Sequence, residues 1–384
     1  MTGLPSVAEP RMLVAPQGEF TLQRNPQDER LQAWDAADEF LLNHVDETRM
    51  LSGHSRVLIL NDAFGALAVA LAGHKLYSWN DSCLAQQALR DNLLANGYPV
   101  DQVRTNSTID FPGAAVDCVL IKIPKTLALL EHQLYALRAL LHHDSRVVAA
   151  GMARNIHSST LKLFETILGP TTTTRAFKKS RLILVECDQS LNQGQSRFPD
   201  SYELHVERDY HIVNHASLFS RERLDSGSRF LLEHMPVGEQ YRRIVDLGCG
   251  NGVLGLIAAA LNPGASLLFC DESHMAVASA RENFHNAFAT GREAEFRVTD
   301  CLQGIDSESR DLVLINPPFH QQHSIGDSIA WQMFKDARRV LARGGELRIV
   351  GNRHLAYHAK LKKLFGNCTT IAANKKFVIL AAIK

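Results

Sequence analysis

Four consecutive residues late in the chain, Asn316, Pro317, Pro318 and Phe319, could position a planar amine for reaction. They follow an apolar run, residues 311–315, that predicts a strand. The two prolines fix φ and lack N–H donors, so the sheet cannot continue through them. The rigid turn would direct the Asn316 amide oxygen and a backbone carbonyl at both hydrogens of an exocyclic amine, while Phe319 stacks on the base. The amine lone pair would then be free to attack an electrophile, with positioning as the main source of catalysis.

A glycine-rich turn with an acidic residue on either side predicts a ligand site. Gly248, Gly250 and Gly252 follow a short apolar run that contains Asp246. Glycines there permit positive φ and a close approach of ligand to backbone. Asp271 ends the next predicted strand, where it could accept hydrogen bonds from both hydroxyls of a ribose. The spacing differs from that of a dinucleotide fingerprint, and no Lys-Ser or Lys-Thr pair follows, so we expect an adenosyl ligand without phosphates.

The chain contains the same pattern twice. Residues 57–65 resemble residues 244–252 in their apolar run, their turn and their closing glycine. Five further pairs of segments match in the same order: 35–42 with 225–232, 79–81 with 269–271, 90–93 with 281–284, 120–125 with 314–319, and 178–184 with 375–380. This alignment places Asp81 opposite Asp271. We infer a tandem duplication of one fold.

Each half alternates short apolar runs with helical patterns, which predicts an α/β fold with a mostly parallel sheet. The last two predicted strands follow each other without a clear helix between them, so we expect an antiparallel edge strand. The predicted domains are residues 1–187 and 202–384, joined by a polar linker over residues 188–201.

The composition excludes several classes of protein. Of 384 residues, 45% are hydrophobic and 21% are charged, and the formal net charge is zero, so any nucleic-acid binding depends on local patches. Seven cysteines include no CxxC pair, which favours reduced thiols over disulfides or a zinc site, and no metal is expected. No apolar run is long enough to span a membrane, and no secretion signal is evident. We expect a cytoplasmic protein without a membrane partner.

Together these motifs resemble the class I methyltransferases that modify exocyclic or amide nitrogens. The duplication, residues 219–227 and residues 316–323 resemble more specifically the tandem-domain ribosomal RNA guanine-N2 methyltransferases. Similarity to large-subunit members runs over nearly the whole chain, including residues 60–66, 121–130 and 169–174. The resemblance implies two tandem Rossmann-like methyltransferase domains. It also implies methyl transfer from S-adenosylmethionine to the N2 amine of one guanine in 23S ribosomal RNA.

The resemblance also assigns roles to residues of the second half. The implied catalytic site around the guanine is formed by Asn316, Pro317, Pro318 and Phe319. Asn316 also belongs to the implied cofactor site. The implied cofactor ligands are Asp246, Gly248 and Gly250 for the methionine part, Asp271 for the ribose and Asp300 for the adenine amine.

The first half has lost most of these residues. Asn61 and Ala63 stand where the second half has Gly248 and Gly250, and Lys122 stands where it has Asn316. We therefore predict that the first half is a degenerate methyltransferase-like domain that neither binds the cofactor nor catalyses. The match of Asp81 to Asp271 argues against this prediction.

Basic residues predict a role for the degenerate half in RNA binding. Such residues can contact phosphates, although a solvated helix face is the alternative for any one of them. The target guanine would have to lie in an open or single-stranded region, or be flipped out. We expect a monomer that acts on 23S ribosomal RNA, either naked or in a large-subunit precursor. The predicted RNA contacts are Lys122, Lys125, Lys178, Lys179, Arg353, Lys375 and Lys376.

Two other functions stay open. Because the Asn-Pro-Pro motif suits any planar amine, the chain could methylate adenine N6 or a protein glutamine. It could also be a non-catalytic RNA-binding assembly factor built on two methyltransferase folds, although the intact Gly248, Gly250, Asp271 and Asn316 argue against this.

Overall fold

The repeat in the sequence is a repeat of fold in the computed structural model of the protein. The structure describes residues 11–27, 30–107, 115–191, 194–218, 220–288, 291–318 and 323–384. The chain divides into two compact units, Met1–Arg197 and Phe198–Lys384. This division falls inside residues 188–201, and the first strand of the second unit begins at Asp200. The domain limits given above stay a prediction.

The first unit is a short hairpin followed by an α/β sheet. Its strands are β1 (Arg11–Ala15), β2 (Gly18–Leu22), β3 (Arg56–Leu60), β4 (Lys75–Trp79), β5 (Val103–Asn106), β6 (Val116–Lys122), β7 (Leu141–Met152), β8 (Thr171–Thr173) and β9 (Ser180–Val185). Its helices are α1 (Ala36–Glu47), α2 (Ala66–Ala70), α3 (Cys83–Ala95), α4 (Leu127–Arg138) and α5 (Ser158–Ile167).

The second unit repeats this order of elements. Its strands are β10 (Asp200–His205), β11 (Asp209–Asn214), β12 (Arg243–Leu247), β13 (Ser266–Asp271), β14 (Ala294–Val298), β15 (Arg310–Ile315), β16 (Leu341–Asn352), β17 (Thr369–Ala373) and β18 (Phe377–Ile383). Its helices are α6 (Ser226–Leu232), α7 (Val253–Leu261), α8 (His274–Ala287), α9 (His323–Val340) and α10 (Tyr357–Phe365).

Each unit contains a seven-stranded sheet, in the order β5-β4-β3-β6-β7-β9-β8 and β14-β13-β12-β15-β16-β18-β17. Neighbours pair in parallel as far as β7 and β16, and the last two strands of each sheet pair antiparallel. The predicted fold class, with its antiparallel edge strand, is confirmed. One detail of the prediction was wrong: α10 and β17 lie between β16 and β18, and the edge strand is β17.

Strand composition explains why these sheets are buried on both faces. All of Val57, Leu58, Ile59 and Leu60 in β3 are fully buried, as expected for a central strand covered by helices on both sides. The central strand of the second unit, β12, is equally buried but includes Asp246, a carboxyl group inside an apolar sheet. A buried carboxyl group needs hydrogen-bond donors or a nearby positive charge to offset the cost of its burial.

Strand registers identify which residues of the two units are equivalent. Equivalent residues pair in the same way with both neighbours of the central strand: Leu60 with Trp79 and Ile121 in the first unit, and Leu247 with Cys270 and Ile315 in the second. One residue further along each strand, Asn80 is thus equivalent to Asp271, and Lys122 to Asn316. The alignment of Asp81 with Asp271 was wrong by one residue.

Two hairpins that the sequence did not predict, β1–β2 and β10–β11, are each hydrogen-bonded by an asparagine of a sheet-covering helix. Asn283 in α8 donates to the carbonyls of Val213 and Asn251, both at 2.9 Å, and accepts from Val213 N at 2.7 Å. Because Asn251 lies between Gly250 and Gly252, one side chain joins the hairpin to the glycine-rich turn. Asn92 makes the equivalent bonds in the first unit. Among the described residues, no helix combines the length and apolar character needed to cross a membrane.

Candidate active site

The glycine-rich turn of the second unit has the backbone conformation that its sequence predicts. Gly248, Gly250 and Gly252 all have positive φ, at +69°, +53° and +79°. A Cβ atom on Gly250 would meet nothing within 4 Å, so space is open beside that backbone, whereas one on Gly248 would approach Met333 Cε at 3.1 Å. Side chains at these positions would be strained by the positive φ. The turn therefore presents bare backbone at the carboxyl edge of the sheet.

Asp271 lies next to this turn. Its Oδ2 accepts from Gly250 N at 3.0 Å, and its Oδ1 accepts from Ser273 N, also at 3.0 Å. The side chain is half-buried at the end of β13, so the end of that strand and the turn form one rigid unit. Of the predicted cofactor ligands, Gly250 and Asp271 are thus brought into direct contact.

Asp246 is fully buried beneath the turn. Its Oδ2 accepts from Gly255 N at 2.8 Å, while its Oδ1 has no hydrogen-bond partner among the described residues. Burial, with a smaller contribution from the nearby charge of Asp271, raises the pKa of Asp246 to about 7, although the hydrogen bond from Gly255 N lowers it. An unpaired carboxyl oxygen in such a place is costly unless a donor reaches it.

Asp300 follows β14, the strand beside β13. Thr299 N donates to the Asp271 carbonyl at 2.9 Å, which places the following residue near the acidic end of β13. The Asp300 Oδ1 accepts from Gln332 Nε2 in α9 at 3.0 Å. Asp300 is therefore held at the same edge of the sheet as Asp271.

The Asn316 side chain at the end of β15 has its two ends in different environments. Its Nδ2 donates to Ser228 Oγ at 2.9 Å and faces both carboxyl oxygens of Asp225, at 3.3 and 3.4 Å. Its Oδ1 is buried and has no partner among the described residues. Pro317 is buried and Pro318 is exposed, while Phe319 lies outside the described residues. The amide thus keeps one acceptor unused.

Asp225 and Ser228 were not predicted as site residues. Asp225 is the N-cap of α6 and accepts from the backbone N of Gly227 and Ser228. An N-cap aspartate is common in any helix, so it does not by itself indicate a site. Two signals in the sequence include Asp225: the match of Asp35 to Asp225 in the repeat, and the family resemblance of residues 219–227.

The equivalent position in the first unit holds an ion pair. Lys122 Nζ lies 2.6 Å from Asp35 Oδ1 and 2.8 Å from Asp38 Oδ1, and its side chain is only 14% exposed. The neighbouring carboxylates raise the pKa of Lys122 against the effect of burial, which lowers it. The prediction that Lys122 contacts RNA stays a prediction, and the two carboxylates that bind its ammonium group inside the unit argue against it.

The first unit also fills the space above its turn. Asn61 keeps the left-handed backbone of its equivalent, Gly248, with φ +61°. Its amide forms a reciprocal pair with Gln133, at 2.9 Å and 2.8 Å, and Gln133 is fully buried. At the position of Asp271 stands Asn80, a neutral side chain. The first unit thus has an amide pair at the position where Gly248 leaves bare backbone in the second.

The other predicted RNA contacts are exposed: Lys125, Lys178, Lys179, Arg353, Lys375 and Lys376. Lys179 and Lys376 occupy equivalent positions in the two units. The Lys179 carbonyl accepts from Ala153 N at 2.8 Å, and the Lys376 carbonyl accepts from Arg353 N at 3.1 Å. Each pair of lysines lies in the turn before the last strand of its unit. Because that strand is antiparallel, its start lies at the carboxyl edge of the parallel strands, where the candidate site also lies.

Two family models match the chain. Residues 11–189 match the RLMG N-terminal domain, and residues 209–381 match the methyltransferase small domain. Each match covers the sheet of one unit.

Relatives of known name match over nearly the full length. A ribosomal RNA large subunit methyltransferase G from Erwinia tasmaniensis is 53% identical over 373 residues, 95% of this chain and 97% of the relative. Another, from Streptomyces coelicolor, is 48% identical over 97% of this chain and 100% of its own length. The solved structure of the T. thermophilus 16S rRNA N2 methyltransferase RsmC, in complex with AdoMet and guanosine, shares the fold at a TM-score of 0.78, with 21% identity and 98% of both chains covered. The chain therefore belongs to the ribosomal RNA large subunit methyltransferase G family and is an S-adenosylmethionine-dependent methyltransferase.

Proposed function

We propose that the second unit transfers a methyl group from S-adenosylmethionine to the N2 amine of a guanine in 23S ribosomal RNA. The observation that carries this proposal is the Oδ1 of Asn316 at the carboxyl end of β15, which is buried and has no partner in the part of the chain that the structure describes. A buried acceptor without a donor costs free energy, and a planar exocyclic amine is a donor of the right kind.

The residues at the carboxyl edge fit the cofactor. Gly248 and Gly250 offer bare backbone, and the open space at Gly250 adjoins the Asp271 carboxylate, a suitable acceptor for ribose hydroxyls. The Oδ1 of Asp246, which no described residue bonds, suits the positive charge of the methionine part, and Asp300 suits an adenine amine. When bound, S-adenosylmethionine supplies an electrophilic methyl group on a sulfonium.

Asn316 and the prolines act on the substrate amine. The Asn316 Oδ1 accepts one amine hydrogen, and a backbone carbonyl of the Asn-Pro-Pro turn accepts the other. Holding both hydrogens draws the nitrogen lone pair out of conjugation with the ring and fixes its direction. Pro317 and Pro318 keep the turn rigid, and Phe319 stacks on the base. The rate enhancement comes from orientation and preorganised polar groups, without a general base of high pKa.

The relatives support the identity of the RNA. The named relatives are large-subunit ribosomal RNA methyltransferases, which supports 23S ribosomal RNA as the substrate. The T. thermophilus enzyme of the same fold is an N2 methyltransferase, which supports the N2 amine of guanine over adenine N6 or glutamine. The exposed lysine pairs beside each last strand support phosphate contacts by both units of a monomer.

Labelled methyl transfer to ribosomal RNA from a strain that lacks the gene tests this function. We expect label in 23S RNA only, recovered as N2-methylguanosine after nucleoside digestion. RNA from a strain that has the gene should accept no label, because its site is already modified. Label in adenosine or in protein, or no transfer at all, would contradict the proposal.

A further inference from the structure

The orientation of the Asn316 amide decides whether it can act on an amine. With Oδ1 toward the substrate the side chain accepts a hydrogen, whereas with Nδ2 toward the substrate it would repel the amine. Asparagine has both possibilities, so something in the protein must select one. The only groups bonded to this amide among the described residues are Asp225 and Ser228, both at the start of α6.

We propose that Asp225 and Ser228 are positioning residues that hold the Asn316 amide with its oxygen toward the substrate. This inference rests on the proposed function of Asn316. An ionised carboxylate only accepts hydrogen bonds, so the amide edge that faces Asp225 has to be the NH₂ edge. Ser228 Oγ, at 2.9 Å, binds the same nitrogen. Reversal of the amide would place two acceptors, Oδ1 and the Asp225 carboxylate, against each other.

In the first unit, the contact between β6 and α1 is made without an acceptor that could bind a substrate amine. There, Lys122 donates to Asp35 and Asp38, the equivalents of Asp225 and Ser228. An ammonium group forms this link as well as an amide does, but it has no acceptor to offer on its other side. The second unit therefore uses a donor that ties β15 to α6 and leaves one acceptor for the substrate.

The N-cap constrains how the inference can be tested. Asp225 also caps α6 through Oδ1, which accepts from Gly227 N at 2.9 Å and Ser228 N at 3.0 Å. Asp225→Asn is the informative change, because asparagine caps helices as well as aspartate does but no longer dictates which edge of the Asn316 amide faces it. Ser228→Ala removes one hydrogen-bond acceptor in the first turn of α6 and does not lower the helix propensity of that position.

Single-turnover methyl transfer to ribosomal RNA is the first readout. We expect Asp225→Asn to lower the rate by about tenfold to one hundredfold, and Ser228→Ala by about tenfold, with Ser228→Thr restoring most of it. The dissociation constant of S-adenosylmethionine and the melting temperature should change little. Asp35→Asn, the same change at the equivalent cap of the first unit, is the matched control and should leave the rate within about twofold. A rate within about twofold of the parent for Asp225→Asn, or a loss matched by weaker cofactor binding and a lower melting temperature, would overturn the inference.

An exchange of the two groups provides a rescue. In the double variant Asp225→Asn with Asn316→Asp, the new amide at position 225 donates to the new carboxylate at position 316, whose second oxygen faces the substrate. We expect this double variant to transfer methyl groups at least about tenfold faster than Asn316→Asp alone, in which two carboxylates face each other. A double variant no faster than Asn316→Asp would contradict the inference.

A readout without turnover separates this inference from the proposed function. In protein with isotope-labelled asparagine, the Asn316 side-chain amide protons are assigned by their loss in Asn316→Ala. They should exchange slowly in the parent and at least about tenfold faster in Ser228→Ala. Slow exchange that Ser228→Ala leaves unchanged would overturn the positioning role, whatever nucleotide the enzyme methylates. Loss of guanine methylation as the product, with the exchange effect intact, would instead contradict the proposed function alone.

Discussion

Lys122 in the first unit and Asn316 in the second occupy equivalent positions, and each donates to the residue that caps the first helix of its own unit, Asp35 or Asp225. In the strand that pairs with the central strand, Lys122 is the last residue of β6, and Asn316 directly follows β15. One position thus serves two purposes. In the first unit, the Lys122 ammonium group binds two carboxylates and offers no acceptor to a substrate. In the second unit, the Asn316 amide donates to the equivalent residues and keeps its oxygen as an acceptor for a substrate.

The first prediction concerns Lys122, which we expect to stabilise the fold without contacting RNA. Lys122→Ala leaves the buried Asp38 carboxyl without its partner, and loss of one member of a buried pair costs about 3–5 kcal/mol. Urea unfolding followed by tryptophan fluorescence in a Trp331→Phe background reports the first unit, because the other two tryptophans, at positions 34 and 79, lie there. The affinity for RNA should be unchanged in the folded variant. Full stability together with weaker RNA binding would restore the RNA-contact interpretation that the structure argues against.

The second prediction is a binding stoichiometry of one S-adenosylmethionine per chain. The amide pair of Asn61 and Gln133 fills the space above the first turn, and Asn80 lacks the charge of Asp271. Isothermal titration calorimetry on the full chain measures the stoichiometry directly. Asp271→Ala, which removes the acidic ligand of the second unit only, should abolish the binding heat. Two molecules bound per chain, or binding heat that survives this change, would show that the first unit still takes the cofactor.

The third prediction is that cofactor affinity rises with pH through the titration of Asp246. Burial raises the pKa of this carboxyl to about 7, so in the free enzyme it is mostly protonated at pH 6 and mostly ionised at pH 8. A folded-state pKa above the unfolded value means that ionisation costs stability, and a cationic ligand group beside Asp246 offsets that cost. The dissociation constant should therefore fall about tenfold from pH 6 to pH 8.

The control for this pH dependence is Asp246→Asn, which removes the titrating group and leaves the titration of the ligand itself. The variant should bind more weakly at pH 8, and its affinity should vary less with pH than that of the parent. If affinity varied equally with pH in the parent and the variant, the pH dependence would come from the ligand or from another group.

The fourth prediction concerns the exposed lysine pair Lys375 and Lys376 at the carboxyl edge of the second sheet. Replacing both with alanine removes up to two phosphate contacts, so RNA binding should weaken and the slope of log affinity against log salt should fall by about 0.7–1.8. The matched control, Lys75→Ala with Arg242→Ala, removes two exposed charges at the opposite, amino edges of the sheets. Equal effects of the two double variants would indicate that general charge, and not this edge, binds the RNA.

Local patterns predicted the parts of the site that a short stretch of chain determines. The glycines at 248 and 250 follow from a strand that has to turn into a helix, and Asn316 from two prolines that stop a strand. Both are properties of a few adjacent residues. Contacts between distant residues were out of reach, such as the bond between Asn316 and Ser228, which are separated by 88 positions.

The errors have equally specific causes. Asp81 was aligned with Asp271 because a shift of one residue is hard to detect when both strands end in polar side chains, and only the sheet register decides. The ion pairs of Lys122 could not be predicted, because a lysine in a sequence gives no indication of two carboxylates on another element. The edge strand β17 was missed because most of its residues are exposed and it lacks a buried apolar face.

The most direct test of the account is the rate of methyl transfer by Asn316→Ala. Under single-turnover conditions on ribosomal RNA that lacks the modification, the rate should fall by at least about one hundredfold, because the acceptor that orients the amine is gone. The dissociation constants of S-adenosylmethionine and RNA should stay within about threefold of the parent values. A variant that binds both ligands and still transfers the methyl group at near the parent rate would contradict the central claim that Asn316 Oδ1 activates the amine.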